Sequence, residues 1–244
     1  MSEAFSEDPV RILRTARFAS RFHHLGFTID SGTLDLMKMM VSSGEVDALT
    51  PERVFKEINL SMNTEAPSIF FEVLIESGAY QRLFPMLEMT QSGNLKHLDH
   101  ENLASEVTFA LWLYDQKPGN IELLCEHLKC PKDMQQIAEL VSSWHDFASD
   151  FLSHKPEEIL NFYLKTDGLR RQNRFELILE SFKNLNIDTS KIDQLKTQLN
   201  LIKISDLKNI NIAQELAEER LLVITRFIDS ASVSYTHLTL PTKA

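Results

Sequence analysis

Apolar residues along the chain recur at i, i+3 and i+4, and helix start and stop signals fall between the periodic stretches. That spacing predicts a first helix over about residues 9–24, stopping before Gly26. A second is expected over about residues 32–43, with Asp30 and Ser31 as cap candidates and Gly44 as the residue past its last turn. Thr50 and Pro51 read as N-cap and first helical residue of a third helix reaching Met62, and Ala66-Pro67 opens a fourth that ends at Gly78. Further helical stretches are expected to begin near Glu101, Asn120, Lys132, Pro156, Arg170, Ser190 and Ile212. No convincing strand alternation occurs before residue 232. The fold class expected is therefore all-α, an irregular multi-helix array with short connections.

The last dozen residues depart from this pattern. From Val233 to Ala244 apolar and polar side chains alternate, the signature of a half-buried strand, yet a lone strand has no partner in a helical array. The segment also reads like translated sequencing adapter, so residues 232–244 are expected to be a non-native tail and are set aside from the fold. Polar stretches at about 86–100 and 115–120 read as linkers. They divide the chain into residues 1–90 and a second helical part over 91–231.

Composition narrows the field. The chain has 244 residues, 43% of them hydrophobic and 25% charged, which is ordinary for a globular protein and excludes a disordered or collagen-like one. Seven Gly and eight Pro are too few for a β-sandwich or propeller, and neither GxGxxG nor GxxxxGK[ST] occurs. A net charge of −10 argues against a dedicated nucleic-acid-binding domain, although where the charges lie matters more than their sum. Cys125 and Cys130 fit no zinc or redox spacing, no apolar run approaches the ~20 residues of a membrane span, and the first residues lack a secretory pattern. A cytoplasmic location without a membrane partner is expected.

The chemistry concentrates near the N-terminus. Arg11, Arg14, Arg17 and Arg21 are spaced to form one stripe of a helix, while Val10, Leu13, Ala16 and Phe18 supply most of its buried surface. Glu7 and Asp8 stand at the helix start, where the dipole favours carboxylates. One reading makes Asp8 an N-cap and the arginines a solvated face. The other starts from residue type: four arginines and no lysine suit planar, bidentate recognition, and an Asp–Arg pair offers an acceptor beside donors, the complement of a nucleobase edge. Arg17, by contrast, reads as a stripe residue whose loss changes little.

Glu7-Asp8-Pro9-Val10-Arg11, followed by Ile12-Leu13-Arg14 and by Arg17-Phe18, resembles the EDxxR motif of class II tRNA nucleotidyltransferases, the CCA-adding enzymes. His24-Leu25-Gly26-Phe27, the stretch Leu49-Thr50-Pro51-Glu52-Arg53-Val54 with Lys56-Glu57, and the run from Phe70-Phe71 through Gly78-Ala79 to Leu83-Phe84-Pro85 also match the bacterial members in order. Residues 5–87 carry the specific resemblance, 125–228 a looser one that includes Trp144-His145-Asp146 and Glu215-Leu216 with Arg220. The resemblance implies a neck whose Asp8 and Arg11 hydrogen-bond the base of incoming CTP or ATP, with Arg14 as a further nucleotide contact. Glu7 would support them by orienting an arginine of a preceding head domain, and Glu52, Arg53 and Glu57 would stabilise the helix. It also implies a helical body and tail that hold the tRNA elbow, with the tRNA 3′ end, CTP and ATP as partners and no DNA. The EDxxR motif is shared with bacterial poly(A) polymerases, a rival reading; a stand-alone helical RNA-binding module is another.

The family's catalytic head, with a Gly-Gly loop and paired carboxylates for Mg²⁺, has no counterpart here: no Gly-Gly occurs, and no Asp-x-Asp precedes EDxxR. The chain therefore reads as a fragment that is inactive alone, with Mg²⁺ held elsewhere. His97, Asp99, His100, His127 and His145-Asp146 could suggest a metal phosphohydrolase set, but residues 110–115, where the resemblance places the paired His-Asp, contain no histidine, so no such site is expected. Asp146 and Asp150 read as a solvated-face pair, and Trp112 and Trp144 as core. Arg170, Arg171 and Arg174 open a helix where cations oppose the dipole, a placement that contact with tRNA phosphate would explain.

Overall fold

The computed structural model describes residues 8–88, 92–100, 102–202 and 211–237, and among these it contains helices and no strand. Two compact units divide the chain, residues 1–143 and 144–244. The dividing point lies inside a helix, whereas the sequence division at 90/91 followed polar linkers.

In the first unit, α1 (Val10–Phe22), α2 (Ser31–Ser42), α3 (Pro51–Ser61), α4 (Pro67–Ser77) and α5 (Ala79–Leu83) are followed by α6 (Ser105–Leu113), α7 (Pro118–Leu128) and the start of α8 (Lys132–Ser149). Helix α1 packs on α4 and α3 through Ile12, Leu13 and Ala16, which are fully buried. The stop signals behave as expected. Asp30 accepts the Thr33 N–H at the start of α2, and Gly26, Gly44 and Gly78 adopt φ between +78° and +84°, where a side chain would be strained. Helix α5 was not expected. It restarts directly after Gly78 and is held by packing, with Tyr80 and Leu83 buried, rather than by a side-chain N-cap.

Trp112 anchors the core of this unit. Its ring stacks on Phe71 at 4.5 Å and meets Tyr80, Phe84 and Phe109 edge-on, and its indole N–H donates to the Tyr80 hydroxyl at 3.2 Å. Residues 107–113 of α6 are buried all round, as a helix without a polar face must be.

The second unit holds α9 (Pro156–Lys165), α10 (Gln172–Asn184), α11 (Ser190–Asn200) and α12 (Ile212–His237). Phe151, Phe162, Tyr163 and Phe175 form its aromatic centre, and α12 packs on α9 and α11. Trp144 is half-buried against Phe147 and Phe162. Gly168 is required by packing alone, since a Cβ there would stand 2.7 Å from the Phe175 ring. The alternation at 233–237 does not produce a strand. Helix α12 runs through it to His237, because no Pro or Gly interrupts the helix after Ile212 and strand pairing needs a neighbour. Residues 238–244 lie outside the described residues.

Candidate functional site

Three cross-helix contacts rise together in residue number: Asp8 with Arg53, Arg17 with Glu57, and Ser20 with Thr64. Helices α1 and α3 therefore run parallel, with the acidic and basic partners exchanged between successive pairs. A slip of one turn would set Arg11 against Arg53, so these charges fix the register as well as the contact.

Asp8 precedes α1, and its carboxylate caps the first turn by accepting the Val10 N–H at 3.1 Å. Arg53 donates to both carboxylate oxygens, at 3.1 and 2.8 Å. Partial burial alone would raise the Asp8 carboxyl, but the Val10 N–H and the nearby Arg53 and Arg14 guanidinium groups outweigh it and hold it below its ordinary value. A carboxylate offers about four lone-pair positions, and three are engaged, so Asp8 keeps one acceptor position while locked in place. Arg11 lies one turn on, half-buried, with no ion pair among the described residues. Arg14 is largely exposed and 3.6 Å from Glu57. Glu7 lies outside the described residues.

The cap reading of Asp8 matches its contact with the Val10 N–H, and Arg11 follows one turn on. Arg53, expected to be structural, ties α3 to the carboxylate that caps α1. Arg17 needs a correction. It is not an interchangeable member of a solvated stripe: its Nε donates at 2.6 Å to Glu57, whose side chain is 5% exposed. The signal was available in Arg53 and Glu57, four residues apart and therefore on one face of α3.

In the second unit the three arginines of residues 170–174 have separate surroundings. Arg174 is mostly buried and donates at 3.0 Å to the Thr166 carbonyl, closing the C-terminus of α9. Arg171 pairs with Asp167 at 3.2 Å. Arg170 is exposed, with no ion pair among the described residues. Helix α10 starts at Gln172 rather than Arg170, so Arg170 and Arg171 precede its first turn.

The histidine set is dispersed into local contacts. His97 meets the Leu111 carbonyl at 2.8 Å, Asp99 accepts from the Ser68 N–H and hydroxyl, and His145 pairs with its neighbour Asp146. Among the described residues no three or more His, Cys, Asp or Glu side chains converge as a metal site. No helix of the described residues is long and apolar enough to cross a membrane.

Residues 26–90 match a family described as the probable RNA and SrmB-binding site of polymerase A. The CCA-adding enzyme of Coxiella burnetii (strain RSA 331) is 37% identical over 220 residues, covering 88% of this chain and 57% of that protein. The CCA-adding enzyme of Pseudomonas putida (strain W619) is 38% identical over 184 residues, 72% of this chain and 48% of that protein. A solved CCA-adding enzyme with ATP shares the fold, with a TM-score of 0.62 at 16% identity over 100% of this chain and 63% of that one. The chain thus spans about half the length of the curated relatives it matches, and over that span it resembles the neck and body region of CCA-adding enzymes.

Proposed function

We propose that this chain is the nucleobase-reading and tRNA-binding part of a CCA-adding tRNA nucleotidyltransferase, which adds C, C and A to tRNA 3′ ends from CTP and ATP in the cytoplasm. The observation that carries the reading is the pair at the start of α1: an Asp8 carboxylate immobilised by Arg53 and the Val10 N–H, beside an Arg11 with no ion pair among the described residues. The fixed acceptor, together with the planar fork of donors of Arg11 one turn along the helix, can match the amino group and ring nitrogen common to the Watson–Crick edges of cytosine and adenine. Uracil and guanine present a carbonyl where these bases present an amino group, and so meet the Asp8 carboxylate unfavourably. Arg14 stands one turn further along, where it can meet the nucleotide's phosphates. Preorganisation matters because the discrimination comes from geometry already in place before the nucleotide arrives.

Phosphoryl transfer itself is assigned to a head segment whose carboxylates hold Mg²⁺, and no step of base reading runs through the metal. On this reading the chain alone incorporates no CTP into tRNA lacking its 3′ end.

The test joins the chain to such a head and compares nucleotide choice. Arg11→Ala should lower CTP and ATP use and let UTP compete, by roughly 10–150-fold in the CTP-to-UTP ratio if each matched contact is worth about 1–3 kcal/mol. Arg21→Ala, exposed on the same helix, should keep the parent ratio. An unchanged ratio in Arg11→Ala would leave Asp8 as a helix cap and nothing more. The description of the family matched over residues 26–90 favours a second reading, a poly(A) polymerase. Incorporation of ATP alone, without CTP, would select it.

A further inference from the structure

Cys125 and Cys130 would point away from each other if α7 continued as a helix, but it stops between them. At Lys129 the backbone turns left-handed, with φ 56° and ψ 44°. The Cys130 N–H then donates back to the Cys125 carbonyl at 2.9 Å, and the Lys129 N–H to the Glu126 carbonyl at 3.4 Å. These two bonds define a Schellman turn, a helix ending that commonly packs its first and last side chains together. Such a contact is ordinarily between apolar groups; here both side chains are thiols. The path from one Cα through its carbonyl and across the 2.9 Å bond limits the Cα separation to about 6.8 Å, the outer bound of disulfide geometry. The turn, not the linear spacing, brings the pair together.

The two thiols differ in access. Cys125 is buried, whereas Cys130 is half-buried at the end of the turn. Contact with the Cys130 side chain first, and then burial, push the Cys125 thiol far above its ordinary value and keep it protonated. Pro131 follows directly and restricts Cys130 towards extended backbone. An accessible thiol fixed beside a protonated, buried one is the arrangement of a reacting and a resolving cysteine.

We propose that Cys125 and Cys130 form a reversible, peroxide-driven disulfide that staples the C-terminus of α7. The Cys130 thiolate attacks one peroxide oxygen, the O–O bond breaks, and hydroxide leaves to take up the proton that Cys130 released. The Cys125 sulfur then displaces hydroxide from the Cys130 sulfenic acid, and the Cys125 proton leaves with it as water. Two thiols lose two electrons in all, and one peroxide becomes two waters. A reducing thiol reverses the change. The same turn directs Lys129 to Glu52 on α3, the neighbour of the Arg53 that grips Asp8. The staple stands on the α7 turn and needs neither the nucleobase nor the tRNA reading.

The test treats the full chain with hydrogen peroxide, unfolds it, alkylates with iodoacetamide and maps the peptides by mass spectrometry. Both cysteines of the chain should escape alkylation, joined within one chain with loss of two hydrogens, and dithiothreitol should restore both. Oxidation should raise the thermal midpoint by roughly 4–8 °C, because it closes a short loop in the unfolded chain. Cys125→Ser should stop at a Cys130 sulfenic acid that dimedone traps, whereas Cys130→Ser should leave Cys125 unreacted. Lys129→Gly, which keeps the left-handed turn without the ammonium, should oxidise as the parent does. Fold and disulfide stabilise each other equally, so a glutathione couple should oxidise the folded chain at least about tenfold more readily than the urea-unfolded chain. Persistence of two free thiols, sulfinic acid without a disulfide, or disulfides only between chains would each overturn the staple. So would an oxidised chain no more stable than the reduced one, or equal oxidation of folded and unfolded chains.

Discussion

Replacing Arg17 by Ala should be among the most damaging surface-accessible substitutions in the first unit. Glu57 is 5% exposed at its side chain and takes its short hydrogen bond, 2.6 Å, from Arg17, itself 15% exposed. Removing one partner of a buried ion pair leaves an uncompensated charge, which costs about 3–5 kcal/mol. Arg14, 3.6 Å from the other Glu57 oxygen, offsets part of this and places the expected loss near the lower end, about 3 kcal/mol. For a chain of this size that corresponds to roughly 6–12 °C in the midpoint. The chain has two tryptophans, Trp112 in the first unit and Trp144 in the second, so a Trp144→Phe background lets Trp112 fluorescence report the first unit alone. Urea unfolding should show a lower midpoint at unchanged slope. Arg21→Ala, whose described contact is the Phe22 ring at 5.5 Å, is the control and should cost under about 1 kcal/mol. Arg17→Met combined with Glu57→Leu should recover most of the loss, since a packed apolar pair can replace a buried ionic one. A cost below about 1 kcal/mol for Arg17→Ala, the value of an exposed pair, would refute burial of Glu57 as the source of the effect.

Gly168→Ala should destabilise the second unit by about 1–3 kcal/mol, because its Cβ would meet the Phe175 ring at 2.7 Å and that ring is packed on Phe162 and Tyr163; Trp144 fluorescence in urea is the measure. Asp30→Ala should cost about 1 kcal/mol by leaving the Thr33 N–H without its cap, read as a shift in urea midpoint. The Asp8 carboxyl is held below its ordinary value in the folded chain, so its contribution to stability is present above the unfolded value of about 3.9 and is lost as pH falls through the folded value. Asp8→Asn should therefore flatten the stability-against-pH curve of the first unit below pH about 4, and an unchanged curve would contradict the Arg53 grip.

The helices legible in sequence were those punctuated by covalent geometry. Pro51 and Pro67 open α3 and α4, and Gly26, Gly44 and Gly78 close three turns in the left-handed region, a conformation few residue types adopt cheaply. Where punctuation was lacking, tertiary packing decided. Helix α5 has five residues, too short to show periodicity, and exists because Tyr80 and Leu83 are buried against the Trp112 cluster. At 233–237 the reverse holds: alternation suited a strand, yet a strand requires a neighbour and α12 met nothing to stop it.

For the site, the EDxxR spacing located Asp8 and Arg11 but carried no information about which arginines were already spent. Four arginines at helical spacing look equivalent in one dimension. In the structure Arg17 is committed to Glu57, Arg14 stands at its edge, and Arg11 alone of these three has no ion pair among the described residues. The same sorting separates Arg174, Arg171 and Arg170. In each cluster the carboxylate within reach, Glu57 in one and Asp167 in the other, decides which cations are structural and which remain for a ligand. Because a single carboxylate balances about one guanidinium, each cluster carries surplus positive charge beside a neutralised pair. That surplus, in a chain whose net charge is −10, concentrates positive charge locally, and there an anionic partner gains most.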